Sequence, residues 1–131
     1  MAHKRKLEKD IRCPLEYGLD VFDGRWKSRI LCVLAAHGTL RYSELRNQLA
    51  NISDAVLSSE VKELIGSGMV TRRSYDEIPP RVEYTLTDQG LSVIPILQSI
   101  CQWAGLFTRE VKDDAPAHCK ACDFHGRKAK S

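Results

Sequence analysis

No stretch of this 131-residue chain approaches about 18 consecutive apolar residues, and its opening MAHKRKLEKD is charged, with no apolar run behind it of the kind a secretory signal carries. Neither a membrane span nor an export leader is expected, and the expected compartment is the cytoplasm. Also missing are a glycine-rich phosphate loop, an HExxH pair, and any serine or cysteine whose spacing identifies a positioned base. The chain is accordingly not read as an enzyme, no catalytic residue is expected, and no cofactor is assigned. There is no internal repeat. The five cysteines, at positions 13, 32, 101, 119 and 122, are odd in number and irregularly spaced, which fits a reducing compartment better than a disulfide framework.

The charge excludes less than it first suggests. The formal net charge is +3, but residues 1 to 12 carry five basic and two acidic side chains, and residues 109 to 131 carry six and four. The body between them holds nine basic against eleven acidic residues, so only the placement of its cations can mark a nucleic-acid binder. The expected division is a basic tail over 1–12, one domain over 13–108, and a Cys/His-containing tail over 109–131 with little apolar periodicity. A domain this small has a thin core, so burial through dimerisation is expected.

Within the body, CPLEYGLDVFDG places Leu15, Leu19 and Phe22 at helical spacing behind Pro14, which a first helical turn tolerates. In RWKSRILCVLAAHG, Trp26, Ile30, Val33, Leu34 and His37 keep the same period, Leu31 and Cys32 widen the stripe, and Gly38 ends it. TLR is a brief extended segment. YSELRNQLA then pairs Leu45 with Leu49, and Asn51 and Ile52 leave room only for a tight turn before the N-cap Ser53 and the first-turn Asp54. The following helix has one apolar face made of Val56, Leu57, Val61, Leu64 and Ile65. Two short amphipathic helices joined so tightly are a helix-turn-helix candidate.

MVTRRSY and RVEYTLT flank the DEIPP turn as a hairpin, with Val82, Tyr84 and Leu86 on one side and Arg81, Glu83 and Thr85 on the other. The prolines stiffen that turn, and Arg81 is expected at its tip. Thr87 caps a last helix, LSVIPILQSICQWAGLF, apolar around most of its circumference through Val93, Ile96, Leu97, Ile100, Trp103, Ala104 and Phe107. Such a helix is expected to be covered on two sides, best by a second subunit. The expected class is α+β, mostly α: a winged helix-turn-helix with a two- to three-stranded antiparallel wing and a C-terminal dimerisation helix.

CPLEYGLDVFDGRWKSRIL, LRYSELRNQL, ISDAVLSSEVKELIGSGMV and SYDEIPPRVEYTLTDQG together resemble HxlR-type transcriptional regulators, relatives of the MarR-type winged-helix proteins, from Cys13 to about Trp103. The resemblance implies a homodimer, built by the first and last helices, on pseudo-palindromic double-stranded operator DNA. It also implies a candidate redox role for Cys13, since some members sense oxidants or electrophiles with a cysteine at this position. A cysteine at a helix N-terminus next to Arg12 is physically suited to thiolate formation. A helix-start residue without redox function is the alternative. A small-molecule effector is a further candidate partner, although no polar cluster marks a pocket for one.

The residues supply their own reading of the interface. With the apolar face inward, Ser53, Asp54, Ala55, Ser58, Ser59 and Lys62 lie on the outer side of the second helix of the motif, where a recognition helix meets DNA. Arg41 and Arg46 flank the first helix, and Arg72, Arg73 and Arg81 lie on the hairpin. The family usually has lysine, glutamine or arginine where this chain has Ala55, Ser59 and Glu60, so guanine has no arginine partner on this helix. Serine, water-mediated contacts and DNA shape are the remaining sources of specificity.

Cys32 and Cys101 read as small buried hydrophobes. HCKACDFH brings together His118, Cys119, Cys122 and His125, only half of a zinc signature, so no metal is assigned there. The expected function is therefore a DNA-binding regulator, with a repressor expected over an activator. The alternatives are a small thiol-redox or zinc-binding protein using Cys13 or the CxxC, and a winged-helix module used only for protein contacts.

Overall fold

Among the described residues eight elements follow one another in the order the apolar periodicities predict, and one buried stripe organises them. The structure is a computed structural model that describes residues 13–21 and 23–108, with side chains through 105. The expected tails, Phe22, the Phe107 side chain and the His118, Cys119, Cys122, His125 cluster lie outside these residues. α1 spans Pro14–Val21 and α2 spans Lys27–His37, where Ile30, Leu31, Val33 and Leu34 are at most 1% exposed. Gly38 ends α2 at φ 86°, its N–H donating to the Leu34 carbonyl at 2.8 Å. His37, expected on the apolar stripe, is exposed. It occupies the last turn, where the helix has run past the core and an imidazole gains from water and from the carbonyl end of the helix.

β1 is the two-residue Leu40–Arg41, α3 is Tyr42–Gln48, and α4 is Asp54–Gly66. Leu45 and Leu49 are buried, and Leu57, Val61 and Leu64, at i, i+4 and i+7, form the buried stripe of α4. Val56, expected on that stripe, is 38% exposed because it lies a third of a turn from Leu57, on the solvent edge of the first turn. α4 closes in a Schellman motif: Met69 N–H donates to the Leu64 carbonyl at 2.9 Å and Gly68 N–H to the Ile65 carbonyl at 3.0 Å.

β2 (Val70–Tyr75) and β3 (Arg81–Leu86) form the hairpin, and β1 pairs with the other edge of β3, giving the antiparallel order β1-β3-β2. Leu40 and Arg72 lie opposite Tyr84, while Arg41 and Arg73 lie opposite Glu83. Cross-strand partners share a face, so Leu40, Tyr84 and Arg72 occupy the core side and Arg41, Glu83 and Arg73 the outer side.

α5, Asp88–Thr108, is clipped onto the end of α4. The Thr87 hydroxyl donates to the Gly68 carbonyl at 2.6 Å and accepts from Gly90 N–H at 3.0 Å, while Thr87 N–H donates to the Met69 carbonyl at 3.0 Å. A Cβ on Gly90 would stand 2.2 Å from that carbonyl oxygen, so only glycine fits. Val93 and Leu97 face the core, and α5 packs on α2. Ile96, Ile100 and Trp103 form a stripe beside that face, and they, Leu91, and Leu15, Tyr17 and Leu19 of α1 are each 45% exposed or more.

Candidate nucleic-acid interface

The tight turn between α3 and α4 places the start of α4 on the surface. Asn51 takes φ 68°, which asparagine tolerates better than most residues, and Ser53 caps α4 by accepting from Val56 N–H at 3.2 Å. With Leu57, Val61 and Leu64 turned inward, Asp54, Ala55, Ser58, Ser59 and Lys62 are all exposed. Glu60 is different. It is half-buried beside Lys27 of α2, whose ammonium is paired with Glu63, and its Oε1 is enclosed with no hydrogen-bond partner. Burial, the largest cause, pushes the Glu60 carboxyl above the usual glutamate range; Lys27 opposes this, and Glu63 and Asp23 add to it. Glu60 belongs to the joint between α2 and α4 and not to the outward face on which the family pattern placed it.

A side chain that the sequence reading passed over organises the other end of α4. Tyr42, the first residue of α3, reaches the Asp54 carbonyl oxygen at 3.3 Å and its Oδ1 at 3.4 Å, and Ser58 also hydrogen-bonds to it. Burial first, and the Asp54 charge second, raise the Tyr42 pKa above its ordinary 10.0, so the phenol remains a donor at neutral pH. Arg46 donates to the same Asp54 Oδ1 at 3.0 Å. Two α3 side chains thus fix the first turn of α4. Nothing local to Tyr42 in the sequence marks this role, because its partner is twelve residues away.

The Tyr42 ring lies 6.4 Å from that of Tyr84, the residue opposite Arg72 in the sheet. Arg72 therefore belongs to the face that continues, through two tyrosines, to the start of α4, and among the described residues its guanidinium donates to the Ser74 hydroxyl, at 3.2 Å. Arg81 does not form the bare cationic tip the hairpin sequence suggested. It donates to Glu77 at 2.9 Å and Glu83 at 3.3 Å, and its guanidinium carbon lies 3.8 Å from the Tyr75 ring centroid. The tip consists of Asp76, Glu77, Ile78, Pro79 and Pro80, with Ile78 fully exposed. Arg81 is on the outer face because it alternates with Val82 and Tyr84, and there it meets the Glu77 and Glu83 carboxylates. Arg41 is exposed at the start of α3, where its backbone N–H donates to Glu44 at 2.8 Å. Of the candidate interface residues, Arg41, Arg46, Ser53, Asp54, Ala55, Ser58, Ser59 and Lys62 are exposed on α3, α4 and their flanks and Arg72 is exposed on the hairpin, whereas Arg81 is paired with carboxylates.

Cys13 is exposed at the start of α1, its carbonyl accepting Glu16 N–H at 2.9 Å. Cys32 is half-buried against the core, but Cys101, expected to be buried, is exposed. It lies one turn beyond the buried Leu97 on the same side of α5, where the helix has run past the core. Among the described residues no cluster of His, Cys, Asp or Glu is arranged to hold a metal, and no helix is long and apolar enough to cross a membrane.

Residues 21–112 match the family model described as HxlR-like helix-turn-helix. An HTH-type transcriptional regulator of Methanothermobacter thermautotrophicus is 42% identical over 95 residues, 72% of each chain. The HTH-type transcriptional regulator YkvN of Bacillus subtilis is 39% identical over 102 residues, 78% of this chain and 86% of YkvN. Among solved structures, the reduced transcriptional regulator YodB of B. subtilis matches with a TM-score of 0.67 at 32% identity, covering 74% of this chain and 95% of YodB. The oxidised redox regulator HypR matches with a TM-score of 0.65 at 37% identity, covering 76% of this chain and all of that structure.

Proposed function

Since the chain belongs to the HxlR-like helix-turn-helix family and is a DNA-binding transcriptional regulator, we propose that it works in the cytoplasm as a homodimeric repressor, without catalytic activity, on a pseudo-palindromic operator. The observation that supports this reading best is the recognition surface itself. The outer side of α4 carries Asp54, Ala55, Ser58, Ser59 and Lys62 and is braced by Tyr42 and Arg46 before any ligand arrives. Small and polar side chains let the helix enter a major groove closely, Lys62 and Arg41 reach phosphates, and Arg72 extends the contact along the wing. Arg81 contributes by stiffening the wing.

The second subunit supplies the cover for the apolar faces of α1 and α5. Leu15, Leu19, Ile96, Ile100 and Trp103, exposed in one chain, are suited to an isologous two-fold contact that sets two α4 helices about one turn of DNA apart. Occupation of such a site excludes the transcription machinery.

Selection from a pool of random duplexes tests the function. The expected result is an enriched motif with two-fold symmetry; recovery of no motif would refute operator recognition. Similarity to the redox regulator HypR, together with the exposed Cys13, supports a response to oxidants or electrophiles. Cys13→Ser is expected to bind DNA normally in reductant and to keep binding after oxidant. An undiminished oxidant response in that variant refutes the role of Cys13.

A further inference from the structure

The geometry points to Asp54 as a base-reading residue that selects cytosine at one position of each half-site, an inference that rests on the operator-binding function proposed above. A carboxylate on the DNA-facing side of a recognition helix is unusual chemistry, because the phosphates repel it and it has no hydrogen to donate. Here the repulsion is offset. Arg46 places its guanidinium 3.0 Å from Asp54 Oδ1, and the Tyr42 hydroxyl stands 3.4 Å from the same atom. Both braces come from α3 and both engage Oδ1. Among the described residues none bonds to Oδ2, and the side chain is 66% exposed.

The result is a charge-compensated group with one oxygen anchored and the other open to solvent. It sits in the first turn of α4, and that end of a recognition helix is the part that contacts base edges. A brace of this kind holds a specificity group in one rotamer, so that it rejects wrong partners instead of turning to suit them. Ser53 and Ser58, which bear hydroxyls that both donate and accept, have no such bias.

An oxygen that only accepts requires a base that donates in the major groove. Guanine presents N7 and O6, both acceptors, and thymine presents O4 and a methyl group, so all three polar contacts are repulsive. Adenine offers its N6 amine but beside it the N7 lone pair, which faces a second carboxylate oxygen unfavourably. Cytosine offers the N4 amine with no adjacent acceptor, and it is the base that fits. The Asp54→Asn substitution keeps shape while adding two donor hydrogens, and asparagine pairs with adenine through N6 and N7.

The test is selection of duplexes by wild type, Asp54→Ala and Asp54→Asn, each shown to be folded by its melting curve. Fluorescence-anisotropy titrations of the selected site and of its single-base variants then give the discrimination. Wild type is expected to prefer cytosine at one position per half-site by roughly five- to tenfold, the lower part of the range for one specific base contact. Asp54→Ala is expected to lose that preference at that position alone, and Asp54→Asn to move it to adenine. A motif unchanged in both variants overturns the inference while leaving operator binding intact, and so does a uniform loss of affinity with the base preferences preserved. A wild-type chain that enriches no motif overturns the proposed function and this inference together.

Discussion

The two wing arginines are predicted to behave oppositely. Arg72 is exposed on the face continuous with α4, and among the described residues its head group pairs with a hydroxyl and no carboxylate; Arg81 sits between Glu77 and Glu83 and against Tyr75. A cation that exchanges counterions for a DNA phosphate contributes about 0.9 to the slope of log affinity against log salt. Raising salt fourfold, from about 50 to 200 mM, therefore weakens binding by roughly 3.5-fold per contact. Arg72→Ala is expected to bind less tightly at low salt, and its deficit relative to wild type is expected to shrink by that factor at the higher salt. Arg81→Ala removes a charge already balanced by carboxylates, so its slope is expected to match wild type. Its cost appears in folding. Two partly exposed ion pairs and a cation–π contact are together worth about 1 kcal/mol after solvent screening, or roughly 4 to 8 °C in melting temperature for a domain of this size. Anisotropy titrations across the salt series, with melting curves for each variant, measure both quantities. If Arg81→Ala lost about 0.9 of slope while Arg72→Ala kept it, the assignment of faces by sheet alternation would be wrong.

Gly90→Ala is expected to destabilise by 3 kcal/mol or more, on the order of severe overpacking, because its Cβ would meet the Met69 carbonyl oxygen at 2.2 Å; a mild shift in urea midpoint would show that the α4–β2 turn yields easily. For Glu60 the folded-state pKa is raised above the ordinary value near 4.5, so the folded chain holds its proton more tightly and stability falls as pH rises through that window. Glu60→Gln is therefore expected to be more stable than wild type at pH 7 and equal to it below the ordinary glutamate range, as read by denaturation at several pH values; a destabilised variant at pH 7 would contradict the sign. Ile100→Glu, which places a charge on the exposed apolar stripe of α5, is expected to sediment as a folded monomer and to lose tenfold or more in operator affinity, because the two half-sites are no longer linked. Retention of a dimer would move the subunit contact elsewhere.

Helix existence and order were legible because burial imposes a period: Leu57, Val61 and Leu64 recur as a helix requires, and Val82, Tyr84 and Leu86 as a strand requires. Caps were legible for the same local reason, since Ser53 meets Val56 N–H three residues on and Gly68 takes a positive φ at a helix end. The extended reading of TLR foretold a strand at Leu40–Arg41, but its pairing to β3 is a long-range event that no local pattern carries.

The site divides along the same line. Composition and helical phase alone determined that Ala55, Ser58, Ser59 and Lys62 lie outward, because their apolar neighbours must go inward. Only the tertiary structure decided which charges are free. Arg81 looked like a bare tip cation until the folded hairpin brought Glu77 and Glu83 to it, and Glu60 looked outward until α2 delivered Lys27 beside it. Asp54 read as a helix-dipole residue until α3 brought Tyr42 and Arg46 to one of its oxygens and left the other open. The physical reason is range: hydrophobic period and capping act within one or two turns of chain, whereas the pairing of a charge depends on which distant element the fold sets within about 4 Å of it.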